Sequence, residues 1–384
     1  MELRVDVRVR AKPADDLVVS RLIQQTTYWS RIKQNLGWVP VAYDLEADGS
    51  PVGDLLVLMK DLGGGQTMAY APYGPEGLPD DERRGEYLAA LSTELEPHLG
   101  PGCVLTRWDL PWESPYARDP DRYDEKGNWL GPPESRLREL RMNWGVQKTG
   151  LRKAPGDLLP PDTIVLNLAP AEDAILERMR PKTRYNIRLA QRRGVRVRKG
   201  TTSDLDLWNA LYRETARRNS ITPHGRHFFA PLLPAGRIVE AVPNSPPGGH
   251  GGQVPQNQAN REEARLLIAE KDGAPLAAMF MSVSSDQASY LYGASSGERR
   301  DLMAPYALQW AAIQEARKAG CMSYDLFGVA PRPDPEHPMY GLYQFKRGFG
   351  GTMLHRQGVW DYPYDLNAYS HFRAAETVAP GFNV

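Results

Sequence analysis

The chain predicts an α/β protein built from two units of one kind, and three observations carry that expectation. Its 384 residues exceed what one ordinary hydrophobic core supports, so two domains are expected. Residues 266–329 read as hairpin, YLYGASS turn, helix and strand. That order sets a helix N-terminus beside two strand ends, where open α/β sheets bind ligands. The same order of hairpin, YAPYGP, helix and strand recurs at 55–109. It implies an architectural duplication, although residue identity between the halves is low.

Composition narrows the function classes. Charged residues make up 24% and balance to zero net charge, which argues against a generic nucleic-acid coat, so no DNA partner is expected, and says nothing of a local patch. Cys103 and Cys321 are too few for a disulfide framework or a zinc site. The seven histidines lack metal spacing and no Ser sits in a G-x-S-x-G elbow, so no metal is expected. No apolar run reaches about eighteen residues, and MELRVDVRVRAK alternates charge with Val where a signal core would be apolar. The expected location is cytoplasmic.

Along the chain, an opening strand leads to a helix at 15–33 and a strand at 39–45. Residues 55–59 and 67–70 form a hairpin around a GGG turn. A helix follows at 86–96, stopped by Pro97, and then a strand at 103–109 ending on Asp109. The segment 111–136, rich in Pro, Gly, charge and aromatics, is too long for an ordinary connection and reads as a functional loop or lid. A second unit opens near Pro160 with a strand at 163–168, then a helical stretch ending at Gly194 and a strand at 195–198. Between Arg178 and Lys199 stand ten Lys or Arg residues and no acid. They cannot all be paired locally, so they form either a polyanion-binding patch or a solvated basic face. An amphipathic helix at 204–219 precedes ITPHGRHFF, and 243–261 is Gly, Pro, Asn and Gln rich and expected to be disordered. The hairpin at 266–284 and a strand at 289–292 lead to a helix from Pro305, with Leu308, Ala312, Ile313 and Ala316 at helical spacing. A strand at 322–329 and a Lys-bearing turn, YQFKRGFG, complete the unit.

YLYGASS, APYALQW, YDLFGV and FKRGFGG, in this order and with these gaps, resemble the signature run of the FemABX peptidyltransferases. These bacterial enzymes move an amino acid from aminoacyl-tRNA onto the stem peptide of a peptidoglycan precursor. The resemblance is clearest over 163–351 and looser before Pro111. It implies two acetyltransferase-like (GNAT-type) mixed-sheet domains around a cleft: 1–158 with 352–384 on the precursor side, and 159–351 with a flexible insertion at 243–262. The helical hairpin arm that some members insert there is not expected, because heptads are absent.

The resemblance also implies roles. Lys346 would meet the oxyanion of the transition state, with Phe345 beside it, or be a surface lysine in a basic turn. Independently of the resemblance, Asp109 sits at a predicted strand end where a cleft carboxylate would sit, and would orient or deprotonate the acceptor amine, or cap a helix or tie a loop. Lys33, with Trp29 and Tyr70, would line the precursor cleft and contact a phosphate, or Lys33 would be a solvated lysine on an amphipathic helix. One of His224 and Arg226 would reach the diphosphate. Tyr290 and Tyr292, two apart and therefore on one strand face, would position precursor or donor, or be core aromatics with bonded hydroxyls. Lys182, Arg184, Arg188, Arg192 and Arg193 would contact tRNA.

An acetyltransferase-like sheet raises coenzyme A first. The chain has no complete loop of the form Arg or Gln, two residues, Gly, one residue, Gly or Ala, and Met303 stands where the close-approach glycine belongs. With coenzyme A disfavoured, the resemblance implies transfer from aminoacyl-tRNA, without a cofactor, to the side-chain amine of the third stem-peptide residue. The acceptor is UDP-MurNAc-pentapeptide or lipid II, and the protein a monomer with peripheral contact at the inner membrane face. The alternatives are transfer to another peptide or small-molecule amine, and a non-catalytic tRNA- or precursor-binding protein.

Overall fold

The computed structural model describes residues 5–77, 79–146, 150–219, 221–233 and 262–378. The predicted insertion lies outside them, apart from its last residue. In chain order the first strands and helices are β1 (Val7–Lys12), α1 (Thr27–Asn35), β2 (Val39–Ala47), β3 (Ser50–Gly63), β4 (Gln66–Pro72) and α2 (Arg84–Leu99). Next come β5 (Cys103–Glu113), α3 (Ser135–Met142), β6 (Arg152–Lys153), β7 (Asp162–Asn167), α4 (Glu172–Arg178), α5 (Pro181–Arg192) and β8 (Arg196–Lys199). After these lie α6 (Leu205–Arg218), α7 (Arg226–Phe229), β9 (Glu263–Lys271), β10 (Ala274–Ser284) and β11 (Gln287–Ser295). The chain closes with α8 (Ala304–Lys318), β12 (Ser323–Gly328), α9 (Tyr340–Arg347), β13 (Thr352–Pro363) and α10 (Leu366–Val378).

The chain divides into two compact units: Met1–Ile164 with Phe327–Lys346 and Thr352–Val384, and Val165–Leu326 with Arg347–Gly351. The sequence reading gave all of 327–346 to the second domain. The structure assigns this segment, Lys346 included, to the first unit. There Val329 N bonds to Asp162 O and the Phe327 ring packs edge-on to Tyr73.

The sheet of the first unit runs β1-β2-β3-β4-β5-β13, with β6 on β13. Only β4 and β5 are parallel, and α2 makes the crossover that a parallel pair requires. Leu55–Leu58 of β3 are all buried, because α2 covers one face while α1 packs on β2 and β3 from the other; strands covered on both sides read as continuous apolar runs. Leu88, Leu91 and Leu95 of α2 meet Tyr43, Val57 and Trp108 in one core, each leucine contributing about 1.5–3 kcal/mol by burial.

The second unit orders its sheet β8-β9-β10-β11-β12. Its parallel pair is β11 and β12, joined through α8, which packs on β9, β10 and β11.

Several elements depart from the sequence reading, each for a local reason. The helix expected over 15–33 is two single 3₁₀ turns followed by α1, because Thr26 caps it: its Oγ1 accepts from Trp29 N at 3.2 Å. Helix α2 runs through Pro97 to Leu99, since a proline in the last turn forfeits only one main-chain bond. The basic stretch is two helices broken at Arg180, whose extended backbone precedes Pro181 at the first position of α5. YQFKRGFG is not a turn: its first five residues are the end of α9.

Candidate functional site

In the first unit, six of the residues singled out in the sequence fall into two groups. Helix α1 buries Lys33 with its ammonium 5.3 Å from the Trp29 ring centroid and 5.8 Å from that of Trp38. Lys60 approaches Trp38 at 5.1 Å, and the Trp38 and Tyr70 rings lie 6.0 Å apart. Tyr70 donates its hydroxyl to Asp109 at 3.0 Å. A continuous path of cation, indole, phenol and carboxylate therefore runs from α1 to Tyr70 of β4 and Asp109 within β5, which runs on to Glu113 beyond the strand end expected at Asp109. Burial, helped by repulsion from Lys60, pulls the Lys33 pKa down to about 8. Burial pushes the Asp109 carboxyl up to about 7 against two hydrogen bonds that lower it. Such opposed shifts mark groups poised to exchange charge with a ligand.

Asp109 is 1% exposed. It also accepts from Leu159 N at 2.9 Å, so in this state it ties the connection ahead of β7. Gln25, just ahead of α1, is built into the sheet. Its amide donates to Leu56 O and Pro72 O and accepts from Leu56 N, bridging β3 and β4 where their pairing stops.

The second group is Lys346 with Phe345. Lys346 is 4% exposed, not a surface lysine, and its ammonium donates to Gly328 O at 2.8 Å; Phe345 is half-buried. The acceptor carbonyl follows Phe327, whose φ of 62° is left-handed, a conformation that costs a bulky residue roughly 1–3 kcal/mol. Tyr73, packed on Phe327, is likewise left-handed at 46° and donates its hydroxyl to Pro160 O. Trp38, Lys60, Tyr73 and Phe327 went unnoticed in the sequence. Nothing in their local spacing marks them, because the strand pairing and the positive φ values single them out.

The remaining candidates belong to the second unit. Tyr290 and Tyr292 do not share a face, contrary to the spacing argument. Met281 pairs with Tyr290 and Phe280 with Tyr292, leaving Leu291 as an extra residue in β11. Such a bulge re-aims the side chains on either side of it. Tyr292 packs on Phe229 at 5.3 Å, Phe228 at 5.7 Å and His224 at 6.3 Å. Tyr290 lies on the side of Tyr324, whose hydroxyl reaches Gln309 of α8. Burial pushes the Tyr290 hydroxyl up to about 12 and raises that of Tyr292 as well, so both remain proton donors.

His224 stacks on Phe228 at 4.0 Å. Arg226 is exposed and pairs with Asp206 at 2.8 Å. Of the two, His224 adjoins Tyr292.

The basic stretch is more occupied than its sequence implies. Arg184 donates to the carbonyls of Leu176, Glu177 and Met179 and so caps α4. Arg193 pairs with Asp301, Arg198 with Asp204 and Glu270, and Lys199 with Glu315. Lys182, Arg188 and Arg192 stand exposed on α5, Arg192 lying 6.0 Å from the exposed Tyr185 ring. Thr183, Asn186, Ile187 and Ala190 face inward.

Among the described residues no cluster of His, Cys, Asp or Glu is placed to hold a metal ion, and no helix is long and apolar enough to cross a membrane. Met303, at the entry to α8, is left-handed with φ 55°, the conformation for which a glycine is the default.

Comparison with known proteins places these features. The sequence profile of the FemAB family matches residues 18–235 and 250–377. The lipid II:glycine glycyltransferase of Staphylococcus saprophyticus is 24% identical, over 95% of this chain and 92% of its own. Those of Staphylococcus epidermidis and Staphylococcus aureus are 23% identical with the same coverage. Among solved structures, FemX superposes with a TM-score of 0.68 at 17% identity, covering 94% of this chain and 96% of its own; the two share a fold. With nearly the whole chain matched, the protein belongs to the FemAB family and is an aminoacyltransferase.

Proposed function

We propose that this enzyme transfers an amino acid from aminoacyl-tRNA to the side-chain amine of the third stem-peptide residue of a peptidoglycan precursor. The relatives named for lipid II favour the lipid-linked acceptor over the nucleotide-linked one. The observation that carries the reading is the buried ammonium of Lys346, fixed 2.8 Å from the Gly328 carbonyl on a strained strand end.

The neutral acceptor amine attacks the ester carbonyl of the aminoacyl group. The C–N bond forms and the carbonyl oxygen becomes an oxyanion, which Lys346 stabilises from a site with little water; a donor in such a position contributes about 3–4 kcal/mol. Collapse breaks the ester C–O bond and releases tRNA, whose ribose oxygen leaves with a proton. The acceptor ammonium must lose a proton before attack, and Asp109, with a pKa of about 7, is matched to receive it once substrate replaces the Tyr70 and Leu159 contacts. Lys33 among its indoles takes a precursor phosphate, an anion that restores its ordinary pKa. Tyr292 and His224 contact the precursor, and Lys182, Arg188 and Arg192 contact tRNA. The ester supplies the activation, so no cofactor is required, and the enzyme works as a cytoplasmic monomer.

The test is transfer of a radiolabelled amino acid from a mixed aminoacyl-tRNA pool to a panel of nucleotide-linked and lipid-linked pentapeptides. Transfer by the wild type that collapses in Lys346→Met, with tRNA binding retained, supports the reading. Tight binding of tRNA or precursor with no transfer to any acceptor replaces it by a binding protein.

A further inference from the structure

Residues 157–161 carry no regular secondary structure on their way into β7, yet this connector is closely fastened within the first unit. Asp157 Oδ1 accepts from Val359 N at 2.8 Å and from the Lys153 ammonium at 3.1 Å. Leu159 N donates to Asp109 at 2.9 Å. Pro160 O accepts from the Tyr73 hydroxyl and Pro161 O from Arg356 N, both at 2.8 Å. Asp162 O accepts from Val329 N and Thr163 Oγ1 from Arg356 Nη1, both at 3.0 Å.

Two neighbouring residues of the connector touch the two groups of the site. Leu159 holds Asp109. Pro160 lies against Gly328, whose carbonyl holds Lys346. A Cβ on Gly328 would fall 2.8 Å from Pro160 Cγ, so a glycine is required for this approach. Consecutive prolines each fix φ and bring no N–H, which makes the connector stiff between the two contacts. A displacement at one is therefore carried to the other.

The far end of the connector is clamped by a residue that the transfer chemistry leaves unused. His355 of β13 is 5% exposed, and a hydrogen bond joins its Nδ1 to Asp162 Oδ1 at 2.6 Å. The Trp129 ring stacks on the imidazole with centroids 4.5 Å apart, and Ser114 N donates to the His355 carbonyl. Trp129 and Ser114 both belong to the segment 111–136, so the stretch expected to be a functional loop lies over the clamp. An imidazole offers the indole a flat face and the carboxylate a polar nitrogen. Phenylalanine would supply only the first, and asparagine only the second.

We propose that residues 157–163 form a positioning element that sets Asp109 and Lys346 at one separation before substrate enters, and that His355 is the positioning residue that holds it. The proposal rests on the reading that these two groups serve one transfer reaction. Reacting groups must be locked by the contacts behind them, because a displacement of about 1 Å can cost about 10²-fold in rate.

His355→Phe keeps the stack and removes the bond; it should lower single-turnover transfer about tenfold with little change in precursor affinity. His355→Asn returns a donor near the Nδ1 position and should regain most of the rate. A second readout needs no substrate. Asp109 is bonded by Leu159 N and Tyr70, with Lys153 and Asp157 acting on it from further away. Withdrawing the Leu159 N–H removes a bond that favours the carboxylate, so Asp109 should titrate at higher pH in His355→Phe. Urea unfolding across pH, each protein beside its Asp109→Asn counterpart, isolates that titration, since any contribution of His355 is common to both members of a pair. The fall in stability with rising pH that Asp109 causes should extend upward by about half a pH unit or more. Pro160→Ala, remote from the clamp, should show both changes in smaller measure and decides the matter where His355→Phe fails to fold. An Asp109 titration unchanged in both variants overturns the proposal, as does lost stability with transfer intact, which marks a packing contact only. A wild type that transfers nothing ends the transfer reading and with it the place of His355 in the reaction, whereas the titration still decides whether the connector holds Asp109.

Discussion

In the first unit the residue before Asp109, Trp108, sends its Nε1–H to Ser92 of α2 at 3.0 Å; in the second, Tyr324 sends its hydroxyl to Gln309 of α8, also at 3.0 Å. Both residues precede an Asp-Leu pair, on β5 and β12, and both strands run parallel to a neighbour through a crossover helix. The tie from strand to helix is thus common to the two copies. Beyond the aspartate the two strands part ways. Strand β5 continues to Glu113 and pairs with β13, leaving Asp109 buried with Tyr70 and Leu159. Strand β12 turns at Phe327 and presents the Gly328 carbonyl to Lys346. The duplicated scaffold is preserved by its buried polar tie, and the copies diverge at the strand exit, one holding a carboxylate and the other an acceptor for a cation.

The exits can be broken separately. Lys346→Met should have the largest effect, lowering single-turnover transfer by about 10²–10³-fold through loss of the oxyanion partner. It also leaves the Gly328 carbonyl without this donor, at a cost of about 1–3 kcal/mol in urea unfolding. Lys346→Arg keeps the charge and should regain part of the stability but little of the rate, because a planar fork cannot occupy the place of a point charge. Equal transfer by wild type and Met variant would remove Lys346 from the chemistry.

Asp109→Asn tests the other exit through its pH dependence. The folded carboxyl titrates near 7 against an ordinary 3.8, so between those values the folded state holds a proton that the unfolded state has released. Stability must therefore fall as pH rises through this window, by at most about 1.4 kcal/mol per pH unit from this group, and be fully retained below it. The Asn variant keeps an acceptor for Leu159 N and should lose that slope. Its transfer rate should be lower by about 10–10²-fold and no longer rise through pH 7. A parallel pH profile for both proteins would assign Asp109 to loop-tying alone.

The bulge predicts a smaller effect. Because Tyr290 and Tyr292 face opposite sides of β11, Tyr290→Phe and Tyr292→Phe should add within about 0.5 kcal/mol in a double-variant cycle. Tyrosines sharing one face and one partner network would couple more strongly.

Much of this architecture is legible in the sequence, and the failures have physical causes. The hairpin, α2, α8 and β12 follow from apolar periodicity and their Gly and Pro punctuation. The faces of Tyr290 and Tyr292 do not, because the extra residue at Leu291 exists only relative to the register of β10. The burial of Lys33 does not follow from helical spacing, which suits a solvated lysine as well, and Trp38, just ahead of β2, meets Tyr70 of β4 only once β2 is paired with β3 and β3 with β4. Tyr73 and Phe327 look like ordinary strand-end aromatics, since a positive φ at a non-glycine residue leaves no mark in composition. The role of Arg184 is hidden for a similar reason: the carbonyls it caps are orphaned by the break ahead of Pro181.

That last difference yields the smallest and most selective prediction. Arg184 and its neighbours look alike as a run of cations, but Arg184 bonds three carbonyls at the end of α4, while Lys182, Arg188 and Arg192 project from α5. Arg184→Ala should cost about 1–3 kcal/mol in stability and leave the salt dependence of tRNA binding unchanged. Each of Lys182→Ala, Arg188→Ala and Arg192→Ala should leave the melting temperature in place and reduce the slope of log affinity against log salt by about 0.7–0.9. Arg192→Ala should weaken binding further where Tyr185 stacks on a base, because the guanidinium near that ring contributes to the platform. A slope that responds to Arg184 and not to the other three would mean that α4 opens on binding and that its cap, not the exposed face of α5, is the contact with tRNA.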